Sequence, residues 1–308
     1  MKKFLWALVV IFGIILILVG SQVRFGIPVP QLKEQYANDD SKFIHVMGMN
    51  VHYRDQGDGP VVGLVHGTSS SLHTWNAWTD SLKQNFRVIR MDLPGFGLTG
   101  PNPSDDYSMA GYDHFLHAFL DSLGVGKISL AGNSLGGNIA WSYALEYPDQ
   151  VEKLILIDAS GYPRTTELPF VFRLAKMPVL NKIITLITPK FLVRKSLEEV
   201  YFDDSKITDS LVTRYFKMTL RRGNRQALVQ RIQQSAKDSA LYKRIPELKM
   251  PVLIMWGRQD QWLPLGEAYR FQDDIPRAQL IVFDKAGHVP MEEIPDRTVR
   301  VAEQFLSR

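Results

Sequence analysis

The chain contains no cysteine. That excludes a thiol nucleophile, a disulfide framework and thiolate metal sites, and leaves hydroxyl, imidazole and carboxylate groups to carry any chemistry. It has no internal repeat and no low-complexity tract, so a solenoid or a compositionally biased tail is excluded. It has little excess charge: 36 Lys and Arg against 32 Asp and Glu leave a net +4. Without a nucleic-acid motif that excess does not imply DNA or RNA as a partner. What the chain does have is 308 residues, 45% of them hydrophobic and 22% charged. That length suits one large α/β domain carrying an insertion.

The N-terminus holds one long apolar run. Lys2 and Lys3 precede residues 4–20, which carry no charge. As a helix this run would span roughly 26 Å, close to the thickness of a bilayer core. It exceeds a usual signal-peptide core and no A-x-A site follows, which favours an uncleaved anchor over residues 1–22. A cleaved signal peptide, cut near Gly20 or Ser21, is the alternative. The two lysines should stay cytoplasmic, placing the rest of the chain in the periplasm or outside the cell; cleavage would make it secreted. Residues 23–42, with Pro28, Pro30 and a polar stretch, read as a linker.

From residue 43 onward short apolar runs alternate with helical patterns. Residues 61–65, 87–91, 127–131, 153–157, 252–255 and 280–283 suit buried parallel strands. Residues 75–84, 109–123, 137–147, 266–272 and 296–306 read as helices between them. This alternation predicts an α/β fold with a doubly wound, mostly parallel sheet. The interval 161–248 breaks the rhythm and reads as an inserted helical cap. Residues 161–250 hold 18 Lys and Arg and 8 Asp and Glu, so 18 − 8 gives a local +10. Apolar segments interleave with this charge, a pattern suited to an anionic membrane surface or to a solvated lid. Arg221, Arg222, Arg225 and Arg231 are the expected outer basic face.

Gly132-Asn133-Ser134-Leu135-Gly136 reads G-x-S-x-G, with a strand pattern before it and a helix pattern after it. That is the setting of a nucleophile elbow, which lifts a serine hydroxyl clear of a sheet. A serine needs a base and the base an orienter. His288 lies in the Gly-rich loop after the last strand pattern. Asp260 follows the apolar run and the turn Gly257-Arg258-Gln259. Asp158 also ends a strand and is the rival acid. His114 and His117 share a helix face, but no third metal ligand is suggested.

The order Ser134, Asp260, His288 resembles the α/β-hydrolase superfamily. So do His66-Gly67 after residues 61–65, Asp92-Leu93-Pro94-Gly95-Phe96-Gly97 after residues 87–91, and Gly287-His288-Val289-Pro290. These motifs run in family order from about residue 43 to residue 308. Within the superfamily the chain is similar to monoacylglycerol-lipase-like hydrolases and to meta-cleavage-product hydrolases. Haloalkane dehalogenases and epoxide hydrolases carry aspartate where Ser134 stands, which argues against both. The resemblance implies an α/β-hydrolase fold with an inserted cap. It implies Ser134 as nucleophile, His288 as base and Asp260 as its orienter, with no cofactor and no metal. It places the oxyanion hole at the backbone N–H groups of Thr68 and Leu135, with His66 and Gly67 supporting that loop, and gives Asp92 a structural turn. The expected activity is hydrolysis of carboxylic esters, of apolar acyl or lipid type, through an acyl-enzyme. C–C bond hydrolysis of ring-cleavage products is the alternative, and the His66-Gly67-Thr68-Ser69-Ser70-Ser71 loop departs from the Gly-rich loop usual there. A haloperoxidase-like perhydrolase and a catalytically silent binding protein are the remaining readings.

Overall fold

The computed structural model describes residues 4, 6, 25–164, 166–235 and 240–308. Apart from Phe4 and Trp6, the expected anchor lies outside these residues. Among the described residues no helix is long and apolar enough to cross a membrane.

Eight strands share one sheet: β1 (Lys42–Val46), β2 (Met49–Gln56), β3 (Val61–Val65), β4 (Arg87–Met91), β5 (Ile128–Asn133), β6 (Val151–Ile157), β7 (Val252–Gly257) and β8 (Gln279–Phe283). Their spatial order is β1-β2-β4-β3-β5-β6-β7-β8. β1–β2 and β2–β4 pair antiparallel, and every other pair is parallel. β5 and β7 are buried along their whole length. That is why they appear as unbroken apolar runs rather than alternating ones: helices cover both faces of a parallel sheet. On one face, α2 (Asn76–Leu82) and α11 (Pro295–Leu306) pack Trp78, Leu82, Val299 and Phe305 against the strands. On the other, α3 (Met109–Ser122), α4 (Leu135–Glu146) and α10 (Gly266–Asp274) contribute Phe115, Phe119, Ile139, Trp141 and Phe271. The doubly wound, mostly parallel α/β sheet expected from the sequence is the fold observed.

Residues 23–42 are not a plain linker. They contain α1 (Val29–Tyr36), which starts behind Pro28 with a proline in its first turn. A proline there forfeits an N–H that has no helical partner anyway. Leu32 is fully buried with Leu98 and Met218. Ile27 donates its N–H to the Leu220 carbonyl and accepts from the Arg222 N–H. The segment is therefore docked onto the insertion that follows β6.

That insertion consists of α5 (Phe170–Lys176), α6 (Leu180–Ile184), α7 (Lys190–Val200), α8 (Asp209–Leu220) and α9 (Asn224–Gln234), followed by a 3₁₀ segment over Leu241–Glu247. Its charge is not arranged as expected. Arg221 donates to the carbonyls of Leu98 and Thr99, and burial lowers its pKa to about 10. Arg225 is buried, and both Arg225 and Arg231 line internal clefts. Only Arg222 of the four is exposed, so they do not form an outer basic face. The reason is that α8 ends at this turn, and Arg221 reaches under the cap to donate to carbonyls of the loop after β4. The cap's apolar side chains also divide. Phe172, Ile184, Leu192 and Leu197 face the interior cleft, whereas Val179 (68% exposed) and Phe191 (66%) remain on the surface.

Candidate active site

β5 ends at Asn133 and α4 begins at Leu135. Ser134 fills the single position between them, at φ 55° and ψ −116°. That strained turn is tolerated because the elements around it over-determine it. Ser134 N–H donates to the Ile157 carbonyl, and its own carbonyl accepts from Asn138 and Ser160 N–H. A Cβ on Gly136 would lie 2.1 Å from the Val65 carbonyl oxygen, so only glycine lets the helix start this close to β3. Gly67 is similarly tight: a Cβ there would meet Ser134 Cβ at 3.1 Å. The loop after β3 is thereby held against the elbow.

Asp260 follows β7, and His288 follows β8. His288 Nδ1 and Asp260 Oδ2 are 2.7 Å apart. The other Asp260 oxygen accepts the backbone N–H groups of Trp262 and Leu263 at 2.7 and 2.9 Å. The carboxylate is thus fixed and has one oxygen to orient the imidazole. His288 Nε2 is buried and has no hydrogen-bond partner among the described residues. The histidine main chain is clamped as well: its N–H donates to Val200 O at 2.7 Å, and its carbonyl accepts from Asn133 Nδ2 at 2.9 Å. Ser134 and His288 both line the same cleft.

Asp158 lies immediately beside this pair. Ligand-type atoms of Asp158, Asp260 and His288 fall within 4.8 Å of one another. His288 nevertheless bonds to Asp260. Asp158 is completely buried; one oxygen accepts Gly257 N–H at 2.9 Å and the other has no partner. Burial, reinforced by the neighbouring Asp260 charge, raises its pKa well above the ordinary carboxylate range. A cation bound among these three would have to break the His288–Asp260 hydrogen bond, so the group suits proton transfer better than ligation.

The expected oxyanion elements converge on the elbow. Leu135 opens α4, so its N–H belongs to the first-turn donors that lack an intrahelical acceptor. Thr68 lines the cleft with Ser134. His66 sits behind them, fully buried; Nδ1 is 2.8 Å from Gly67 O, and Nε2 accepts Leu93 N–H at 3.0 Å. These bonds define a neutral ring with its proton on Nδ1, and burial lowers the pKa to match. Asp92 accepts Leu72 and Leu98 N–H and pairs with His52 at 2.7 Å. Burial acts to raise its pKa, but the facing histidines outweigh it and the net shift is downward. It braces two loops from behind the cleft.

The sequence model of the alpha/beta hydrolase family matches residues 64–301. The chain belongs to this family. It is similar, at 31% identity over 291 residues, to a 2-hydroxy-6-oxononadienedioate/2-hydroxy-6-oxononatrienedioate hydrolase of Burkholderia vietnamiensis. That match covers 87% of this chain and 96% of the relative. Among solved structures it resembles the meta-cleavage product hydrolase CumD of Pseudomonas fluorescens, with TM-score 0.74 and 27% identity over 86% of this chain and 97% of the other. It equally resembles a thermophilic esterase of Thermogutta terrifontis, with TM-score 0.72 and 26% identity over 87% and 97%.

Within this hydrolase frame, two acidic residues escaped the sequence reading. Glu293, buried, accepts Gly287 N–H with one oxygen and Phe202 and Asp203 N–H with the other. It ties the His288 loop to the segment after α7. Glu292 pairs with Arg214 of α8 and accepts from Tyr215 and Thr74 hydroxyls at 2.7 and 2.9 Å. Tyr215 in turn lies 3.3 Å from Ser70 Oγ in the loop after Thr68. The only signal in the sequence was the pair of acids four and five residues beyond His288; their partners in the cap lie 77 to 91 positions away.

Proposed function

We propose that this hydrolase cleaves carboxylic esters carrying an apolar acyl group, through an acyl-enzyme on Ser134. Ser134 Oγ attacks the ester carbonyl while His288 Nε2 takes its proton. Asp260 holds the proton of His288 on Nδ1 and stabilises the imidazolium that forms. The N–H groups of Thr68 and Leu135 stabilise the tetrahedral oxyanion. His288 then protonates the departing alcohol, and water attacks the acyl-enzyme by the same route in reverse.

The observation that carries the reading is the cleft itself. It has a volume of about 130 Å³ and opens beside Ser134 and His288. Side chains such as Phe172, Ile184, Leu192, Leu197 and Leu228 line it, and among the described residues Arg225 is its one charged lining residue. Such a wall favours an alkyl chain at about 0.8 kcal/mol for each methylene removed from water. A p-nitrophenyl ester series should therefore show kcat/KM rising about fourfold per added methylene until the cleft is filled. A flat or falling series would overturn the apolar-acyl assignment.

C–C bond hydrolysis is the second reading, favoured by what the Burkholderia relative and CumD are named for. A ring-cleavage dioate tested beside the ester series separates the two, because the account expects the ester to be the faster substrate.

A further inference from the structure

The cleft has a second lobe of opposite character. It has a volume of about 160 Å³ and shares Thr68, Ser134, Phe172, Trp262 and His288 with the apolar lobe. Arg164, Lys176 and Arg231 line it, and no carboxylate does among the described residues. Arg164 is positioned from below: its Nη1 donates to the Trp262 carbonyl at 2.8 Å, to Thr166 Oγ1 at 3.0 Å and to the Glu167 carbonyl at 3.2 Å. Among the described residues the guanidinium bonds through that one nitrogen, which leaves its other edge for a ligand. Lys176, the last residue of α5, forms no ion pair among the described residues. Arg164 and Lys176 face one hollow with no acid on its wall among the described residues, and together they create a potential that an anion relieves.

We infer that this lobe holds an anionic group on the alcohol portion of the ester, and that the substrate class is an acyl ester of a phosphate-bearing alcohol. The inference rests on the ester reading above and adds the leaving-group side to it. The scissile carbonyl lies at Ser134, where the lobes meet. An acyl chain in the apolar lobe directs the alcohol into the cationic one. A phosphate monoester or diester there would accept charge-assisted hydrogen bonds from guanidinium and ammonium donors. The same chemistry is offered by a soluble acyl-glycerol phosphate and by a lipid headgroup.

The test compares 1-hexanoyl-glycerol with 1-hexanoyl-glycerol 3-phosphate on the full-length chain. Both are kept monomeric, so that attraction of the basic cap to a charged surface does not contribute. The wild type should prefer the phosphate ester in kcat/KM on the order of tenfold. Lys176→Glu, on an exposed side chain, and Arg164→Gln, which keeps a donor for the Trp262 carbonyl, should each reduce that ratio towards unity, mainly through KM. Equal turnover of the two esters by wild type overturns the anionic subsite and leaves the ester reading intact. A preference that persists in both variants also overturns it, because the charge being read would lie elsewhere. Turnover of neither ester, with a ring-cleavage dioate consumed, overturns both readings together. A preference seen only with vesicles or micelles assigns the charge to the membrane-facing surface and overturns the lobe.

Discussion

Asp260→Asn is expected to lower kcat by about 10⁴, measured on a short p-nitrophenyl ester. Both oxygens of Asp260 are committed, one to the N–H groups of Trp262 and Leu263 and the other to His288 Nδ1. Asparagine would keep the backbone bonds and turn its amide N–H towards the imidazole. The ring would then carry its proton on Nε2, where it cannot accept one from Ser134. Asp158→Asn should reduce kcat less than about tenfold, because it exchanges one neutral acceptor for another. Burial and the Asp260 charge already push the Asp158 carboxyl towards its neutral form. The two variants separate again in stability. A carboxyl whose folded pKa is raised binds a proton that the unfolded chain releases above its ordinary pKa of 3.8. Wild-type stability therefore falls as pH climbs from there to the raised value, and Asp158→Asn is free of that loss. Its melting temperature relative to wild type should rise with pH over this window. If Asp158→Asn proved the more damaging to kcat, the orienting acid would be Asp158.

Arg214→Met is expected to destabilise the folded chain by roughly 3–5 kcal/mol, measured by urea or thermal unfolding. The substitution keeps the bulk and leaves Glu292 without its counter-charge. Both side chains of this pair are largely buried. Burial acts to raise the Glu292 pKa, but Arg214 and the Tyr215 and Thr74 hydroxyls outweigh it and hold it below its usual value. By linkage, the stabilisation is full above the ordinary glutamate pKa and disappears as pH falls through the depressed one. Arg214→Met should therefore lose most of its disadvantage in acid. Activity should fall along with stability, since Tyr215 joins this pair to Ser70 beside the oxyanion loop. A variant as stable as wild type at neutral pH would show that the cap does not depend on this pair.

Local signals carried much of the structure. β5 and β7 are buried on both faces, and a residue pattern of unbroken apolar character follows directly from that. The Ser134 elbow was equally legible, because strand, glycine and helix patterns adjoin one another within a dozen residues. Residues 23–42 were misread because two prolines suggest a linker, yet a proline in the first turn of α1 is compatible with helix. The burial of Arg221 and Arg225 could not be read from their spacing. For Arg221 it depends on carbonyls of Leu98 and Thr99, more than 120 positions away. The same holds for Glu292 and Glu293, which reach Arg214, Tyr215, Phe202 and Asp203 in the cap.

The account stands on Ser134 as an activated nucleophile, and a fluorophosphonate probe tests that most directly. Wild type should be labelled at one site, mapped by mass spectrometry to the peptide containing Ser134, with loss of esterase activity in step with labelling. Ser134→Ala should take up no label while retaining the wild-type melting profile. Stoichiometric labelling of Ser134→Ala, or labelling of wild type at another serine, would contradict the account.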